Sequence, residues 1–111
     1  MIKVGLAKNC THFCGRPKSY KPFYGKDFSI LGNPFYLAKE SMRDEVCDKY
    51  EAYFNLKIKT DHKFIEAVNK IYEDSLSGDV ILGCFCYPNR CHCDRILEEV
   101  VRIRYNNRNN K

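Results

Sequence analysis

The fold is organised around DVILGCFCYPNRCHCDRIL, residues 79–97. It opens on the apolar run Val80-Ile81-Leu82 and passes through Gly83 into a cysteine-rich turn. A strand that is apolar on both faces is typical of the middle of a sheet covered by helices, usually a parallel sheet. A short turn from such a strand into a helix leaves backbone N–H groups at the strand's carboxyl end, where open α/β sheets bind ligands. We therefore expect the functional centre at this turn.

The composition is that of an ordinary globular domain. The chain has 111 residues, of which 44% are hydrophobic and 30% charged, a balance that argues against a disordered chain. We expect one cytoplasmic domain over residues 1–111, without a signal peptide or a membrane partner, because no apolar run approaches about 18 residues. The net charge of +5 mildly favours anionic partners, which include nucleotide-sized phosphates as well as nucleic acid.

The hydrophobic periodicity predicts strands at residues 2–7, 12–16 and 80–86, and helices near residues 42–56, 61–77 and 93–105. Residues 8–36, rich in proline, glycine and aromatic side chains, are predicted to form a long ordered loop, which in so small a domain is usually functional. Residues 106–111 are expected to fray. The order of elements predicts a small Rossmann-like three-layer α/β domain with a short, mainly parallel sheet flanked by helices.

Capping signals and apolar spacing position the helices. Ser41 followed by Asp44 resembles a capping box, and Thr60 or Asp61 is expected to cap the second helix, which Gly78 ends. In the last helix we expect five buried side chains, namely Ile96, Leu97, Val100, Val101 and Ile103.

The seven cysteines argue against a disulfide framework, since their number is odd and the expected compartment is reducing. Zinc is the alternative, and the candidate ligands are Cys84, Cys86, Cys91, Cys93, His92, Cys10 and Cys14. Structural zinc sites favour C-x₂₋₄-C spacing, which the C-x-C pairs lack. We therefore expect no metal and no cofactor, and keep zinc as an alternative. Without a metal, Cys84 and Cys86 are expected to be small buried residues of the strand.

The start of the last helix carries the candidate chemistry. Its free backbone N–H groups predict an anion site, in which Arg16 from the facing loop would bind the same anion. The alternative is that the Asp94 side chain itself accepts hydrogen bonds from these N–H groups, so that no ligand is needed. Cys91 beside His92 at a helix N-terminus is a candidate nucleophile, although adjacent side chains rarely point at each other. Asp94 with His92 is a candidate acid–base pair. The catalytic candidates are thus Cys91, His92 and Asp94.

Aromatic rings and lysines interleave in the loop of residues 18–36, a pattern that can stack a base and neutralise phosphates. The alternative is a loop that folds its rings under itself. The residues concerned are Tyr20, Phe23, Tyr24, Phe28, Phe35 and Tyr36, with Lys18, Lys21 and Lys26. In the shaped turn Gly32-Asn33-Pro34-Phe35, Asn33 either reads a base or ribose or makes an Asx turn.

Three motifs together, CGRP at 14–17, GNPF at 32–35, and GCFC at 83–86 followed by CHCD at 91–94, resemble a small, largely uncharacterised family common in bacteriophages and bacteria. Its members are similar to Rossmann-like nucleotide-binding domains linked to nucleotide signalling in phage–host conflict. The resemblance implies a nucleotide-like ligand and supplies no established activity. Two features depart from it. The segment between Arg16 and Gly32 is longer and more aromatic, and Cys93 stands where members commonly carry glycine.

We therefore expect a binding protein rather than an enzyme, a phage protein of the host cytoplasm that sequesters a nucleotide-derived signal as a homo-oligomer. The expected ligand-binding residues are Arg16, Asn33, Pro34, Phe35, Cys84, Cys86, Cys91, His92 and Asp94. Two alternatives stay open. One is an enzyme that hydrolyses nucleotides or nucleosides or acts on their N-glycosidic bond. The other is a zinc-stabilised nucleic-acid-binding protein that uses the basic loop and tail.

Overall fold

The computed structural model describes residues 1–15, 25–35, 37–85 and 88–109. Its strands are β1 (Ile2–Leu6), β2 (His12–Phe13), β3 (Lys26–Asp27) and β4 (Val80–Cys84). They form one parallel sheet in the order β1-β4-β2-β3. The strand β4 lies between β1 and β2, as its apolar run predicts. The predicted α/β class with a parallel sheet is confirmed.

Three helices complete the fold, α1 (Arg43–Thr60), α2 (His62–Ser77) and α3 (Cys93–Asn109). The helix α3 packs on β1 and β4, α2 packs on β4 and α3, and α1 packs on α2. The Asp61 carboxylate accepts the backbone N–H groups of Lys63 and Phe64 at 3.0 and 3.2 Å, which confirms Asp61 as the cap of α2. Within the described ranges, no helix has the length and apolarity needed to cross a membrane.

The core lies between β4 and the three helices. In β4, Val80, Leu82 and Cys84 point to the same face of the sheet and are almost completely buried, whereas Ile81 on the opposite face is half-buried. The helices contribute a further set of side chains that are at most 1% exposed, namely Tyr50, Phe54, Phe64, Val68, Ile71, Ile96 and Val100. Apolar burial of this kind is the main stabilising term of the fold.

The ends of two helices differ from the sequence prediction. Ser41 does not cap α1, since a 3₁₀ turn at Glu40–Met42 precedes this helix and its N-cap, Met42, makes no side-chain capping bond. The helix α1 runs on to Thr60 and α3 runs on to Asn109, so residues 106–109 are helical rather than frayed. The α3 extension is polar, and apolar periodicity marks only the packed part of a helix; the α1 extension contains a single apolar residue, Ile58, which packs against the core.

The buried face of α3 is also different from the prediction. Val101, predicted to be buried, is 49% exposed, whereas Glu99 is only 3% exposed. The Glu99 carboxylate accepts hydrogen bonds from the guanidinium groups of Arg95 and Arg102. Burial raises the pKa of Glu99, but the two arginines outweigh it and the net shift is downward. A charged residue is buried here because it is paired on both oxygens.

The strands are shorter than predicted, and one of the four was not located from the sequence. The strands β1, β2 and β4 end at Leu6, Phe13 and Cys84, before the predicted ends at residues 7, 16 and 86. The region predicted to be loop contains β3 and two 3₁₀ turns, Ala7–Asn9 and Ser29–Leu31. The strand β3 consists of two exposed charged residues, which show no apolar pattern, so it was not predicted.

A polar network joins β2 to α2 at the amino end of the sheet. The buried His12 donates from Nε2 to the Asp74 carboxylate over 2.8 Å, and its Nδ1 lies 2.7 Å from Thr11 Oγ1. The ammonium groups of Lys26 and Lys70 each lie 3.2 Å from Asp74. The hydrogen bond from His12, with those from Lys70 and Lys26, lowers the pKa of Asp74 to about 2. The ionised carboxylate is therefore a stabilising element of the fold.

Replacing Asp74 with asparagine is expected to lower the free energy of unfolding at neutral pH by about 2 kcal/mol, the value of hydrogen bonds to a charged group. Because folding depresses the pKa of Asp74, its stabilisation is complete above the ordinary pKa of 3.8 and is lost as the pH falls towards about 2. The difference between wild type and Asp74→Asn should therefore shrink over that interval in urea titrations. Asp79→Asn, at an exposed ion pair with the N-terminus, should follow the wild-type curve. A constant difference down to about pH 2 would contradict this role.

Candidate functional site

A cavity of about 280 Å³ opens at the carboxyl ends of β2 and β4. Gly15, just after β2, and Cys84, the last residue of β4, lie in its wall. Five of the predicted ligand-binding residues line this cavity, namely Asn33, Phe35, Cys84, Cys91 and His92. The two motif regions predicted to form one site, GNPF and GCFC…CHCD, therefore do meet at the edge of the sheet where parallel α/β domains bind ligands.

The GNPF turn shapes one wall of the cavity. Asn33 Oδ1 accepts the backbone N–H of Phe35 over 2.9 Å, so the Asx-turn interpretation of Asn33 is confirmed. The turn places the half-buried Phe35 ring edge-on to Tyr53 at a centroid distance of 6.1 Å. Pro34 is exposed and is not among the residues that line the cavity. The turn thus presents one aromatic ring to the cavity.

Other wall residues were not predicted from the sequence. They are Leu37, Arg43, Val46, Cys47 and Phe85. The Arg43 guanidinium bonds both carboxylate oxygens of Glu40 at 2.5 and 2.6 Å and donates to the Arg90 carbonyl over 2.8 Å. No sequence signal distinguishes this arginine, since it stands at the first residue of an ordinary helix. Phe85 lies inside the GCFC motif, and its position between two cysteines could have indicated it.

Arg90 holds the turn before α3 against α1. Its guanidinium donates to Asp44 Oδ1 and Asp48 Oδ1 at 3.0 and 2.9 Å, and these bonds, to Asp48 first, raise the pKa of Arg90. Arg90 is therefore a tether between two elements of the site.

His92 is buried and faces the backbone of the segment after β2. Its Nε2 donates to the Cys14 carbonyl over 2.6 Å, because a carbonyl can only accept. The ring lies 5.1 Å from that of Tyr50, edge to face. The hydrogen bond fixes the orientation of the imidazole and ties α3 to β2. His92 is among the predicted catalytic and ligand-binding candidates, and its bond to the Cys14 carbonyl was not predicted from the sequence.

Three thiols meet beneath the cavity. The Cys84 thiol donates to Cys91 Sγ over 3.0 Å, and the sulfur atoms of Cys84, Cys91 and Cys93 all lie within 4.8 Å of one another. The hydrogen bonds from Cys84, and then from Cys93, lower the pKa of Cys91. The surrounding thiols, Cys14 first, and burial raise the pKa of Cys93. The sequence placed these three cysteines among the candidate zinc ligands without selecting them, and the fold groups Cys84 with Cys91 and Cys93.

Asp94 lies on the other side of the Cys91–His92 segment. Its carboxylate accepts the backbone N–H of Cys91 over 3.2 Å, while the Asp94 N–H donates to the Cys91 carbonyl. The residue lines a separate cleft of about 150 Å³ together with Arg95 and Glu98. Asp94 thus satisfies part of the α3 N-terminus, as the alternative in the sequence analysis has it.

Some predicted site residues lie outside the described part of the chain, namely Arg16, Cys86, Lys18, Tyr20, Lys21, Phe23, Tyr24 and Tyr36. Of the remaining loop residues, Phe28 is a core residue whose ring lies 5.0 Å from that of His12. Lys26 pairs with Asp74. Phe35 is therefore the described member of the aromatic set that reaches the cavity.

The fold and the cavity define a small α/β domain with a parallel sheet and a ligand-sized pocket at its carboxyl edge. The chain belongs to the family described as domain of unknown function DUF4326, which matches residues 4–102. No curated protein and no solved structure matches the chain. Membership in an uncharacterised family is thereby confirmed, and the link to bacteriophages and to nucleotides stays a prediction.

Proposed function

We propose that the cavity binds a nucleotide-derived small molecule of about mononucleotide size. The observation that carries this proposal is a preformed cavity of about 280 Å³ at the carboxyl ends of β2 and β4, walled by aromatic rings, aliphatic side chains and a guanidinium. Small-molecule sites are mostly apolar clefts of about 300–1,000 Å³ with a few polar groups. A cavity at the bottom of that range accommodates a single nucleoside unit better than a dinucleotide.

The wall offers a partner for each part of such a ligand. Phe35 and the half-exposed Phe85 supply ring faces or edges for a base. Arg43 supplies a guanidinium for a phosphate, since its carboxylate partner, Glu40, is largely exposed and an anionic ligand can replace it while the bond to the Arg90 carbonyl remains. The N-terminus of α3 is the less favourable place for the phosphate because Asp94 already accepts the Cys91 N–H.

Binding without turnover suits a protein that sequesters a nucleotide signal, a role that we propose by analogy, since the family resemblance implies only a nucleotide-like ligand. The hydrogen bonds of the catalytic candidates favour a binding protein over an enzyme. The His92 imidazole is bound to the Cys14 carbonyl and the Asp94 carboxylate to the Cys91 amide, so neither is directed at the Cys91 thiol by these bonds.

Native mass spectrometry of gently purified protein, followed by denaturation and identification of the released molecules, tests the proposal. We expect one intact nucleotide per chain, unchanged after prolonged incubation. Added nucleotide at 100 times its dissociation constant should raise the stability by about 2.7 kcal/mol. Recovery of new products would make the protein an enzyme. Apo protein that no nucleotide stabilises would overturn the proposal.

Replacing Phe85 with alanine is expected to weaken binding of the identified nucleotide about tenfold, since a stacked base contributes about 1–3 kcal/mol. The fold should persist because this side chain is 51% exposed. Tyr105→Ala is the matched control, an aromatic truncation at a 66% exposed site on α3. Isothermal titration calorimetry should give wild-type affinity for the control. Equal affinities for both variants would remove Phe85 from the site.

A further inference from the structure

The three thiols beneath the cavity form a compact group of soft donors. Cys84 ends β4, and Cys91 and Cys93 lie at the start of α3. Their side chains are at most 4% exposed, and their sulfur atoms lie within 4.8 Å of one another. A fourth thiol, that of the fully buried Cys14, contacts Cys93. Three buried thiols thus converge on one point of the fold, and the Cys14 thiol lies against one of them, Cys93, while also donating to the His12 carbonyl over 3.8 Å.

This geometry is close to that of a thiolate metal site. Thiolates that bind Zn²⁺ tetrahedrally at about 2.3 Å stand about 3.8 Å from each other. The Cys84 and Cys91 sulfurs are 3.0 Å apart, and all three sulfurs lie within 4.8 Å of one another. Side-chain rotations that move each sulfur atom by less than about 1 Å would therefore bring these three sulfurs to the tetrahedral spacing. Plain packing of small apolar residues does not require that their sulfur atoms face one another.

Neighbouring donors of other kinds are engaged elsewhere. The Asp94 carboxylate accepts the Cys91 N–H. His92 Nε2 lies 3.9 Å from Cys93 Sγ. This nitrogen carries the proton that it donates to the Cys14 carbonyl, so it is not available as a metal ligand. An all-sulfur donor set selects thiophilic ions such as Zn²⁺ over Mg²⁺ or Ca²⁺, which prefer oxygen.

We propose that Cys84, Cys91 and Cys93 bind one Zn²⁺ ion, with Cys14 as the fourth thiolate. Each thiol releases its proton to water when the ion binds, and no electron is transferred. The ion would join the end of β4, the start of α3 and the segment after β2, which are the segments that build the cavity. This inference does not rest on the nucleotide proposal, since the metal can be measured in the absence of any ligand.

Elemental analysis of protein purified under reducing conditions without chelators is the first test. We expect about one zinc per chain, removal by a strong chelator with loss of thermal stability, and recovery on adding Zn²⁺. Titration of the apo protein with Co²⁺ should give the sulfur-to-cobalt charge-transfer bands and the intense visible bands of a tetrahedral thiolate site. Protein with no zinc whose apo form shows no such bands with Co²⁺ would overturn the proposal.

Serine variants assign the ligands. Cys84→Ser, Cys91→Ser and Cys93→Ser should each reduce bound zinc to less than about a tenth of the wild-type content. Cys14→Ser should weaken binding and change the cobalt spectrum because one thiolate is lost. Cys10→Ser, at the half-buried cysteine before β2, is the control and should retain full zinc. Full zinc in Cys84→Ser, or a Cys84–Cys91 disulfide found in the wild-type protein in place of metal, would contradict the assignment.

Discussion

Replacing Gly83 with alanine is expected to lower the free energy of unfolding by about 3 kcal/mol, at the upper end of the usual cost of overpacking. Gly83 is buried in β4, where the chain after β1 passes directly over it. A β-carbon at this position would lie 2.3 Å from Cys10 Cβ, 2.6 Å from Cys10 Sγ and 3.1 Å from the Ala7 Cα atom. The last of these contacts involves backbone, which cannot turn aside as a side chain can.

The free energies of unfolding of Gly83→Ala and Gly78→Ala, measured separately in urea, provide a matched comparison. Both replace glycine with alanine, but a β-carbon at Gly78 meets nothing within 4 Å, so the second change should stay within about 0.5 kcal/mol. The double variant Gly83→Ala with Cys10→Gly removes the two closest contacts and should recover part of the loss. Equal stability of Gly83→Ala and wild type would show that the segment of Ala7 and Cys10 can move away.

The sheet was predictable because its central strand has a clear sequence signal. The run Val80-Ile81-Leu82 is apolar without alternation, and a strand covered on both faces needs such a run. From an interior parallel strand followed by a turn and a helix, a pocket at the carboxyl edge follows as a topological consequence. The positions of Cys91 and His92 in the cavity wall, together with Asn33 and Phe35 from the GNPF turn, agree with that reasoning.

Contacts between distant segments were not predictable from local patterns. Glu99 is buried because Arg95 and Arg102 reach its two oxygens, and a hydrophobic periodicity count assigns such a residue to solvent. The grouping of Cys84 with Cys91 and Cys93 depends on how the end of β4 and the start of α3 come together in the fold, which spacing along the chain does not fix. The bond between His92 and the Cys14 carbonyl spans 78 positions in sequence.

Replacing Tyr50 with alanine is expected to cost about 4 kcal/mol, the usual price of deleting a fully buried aromatic ring. This ring, 0% exposed, lies 6.0 Å from Phe54 and 5.1 Å from His92. Its hydroxyl donates to the Leu31 carbonyl over 2.7 Å, and burial raises the pKa of the phenol. One side chain of α1 therefore supports the segment before the GNPF turn and the imidazole at the start of α3.

Tyr50→Phe separates the two contributions of this residue. It keeps the ring and leaves the buried Leu31 carbonyl without the phenol donor, so we expect a loss of about 1.5 kcal/mol in urea unfolding. Tyr105→Ala, at a 66% exposed tyrosine, should change the stability by less than about 0.5 kcal/mol. Because Tyr50 contacts His92, which lines the cavity, Tyr50→Ala should also broaden or shift the His92 ring signals in NMR spectra, whereas Tyr50→Phe should leave them nearly unchanged. If the two variants were equally stable, the ring would contribute nothing to the packing between α1 and the site, which would then depend on the other contacts of α1, such as the ion pairs of Asp44 and Asp48 with Arg90.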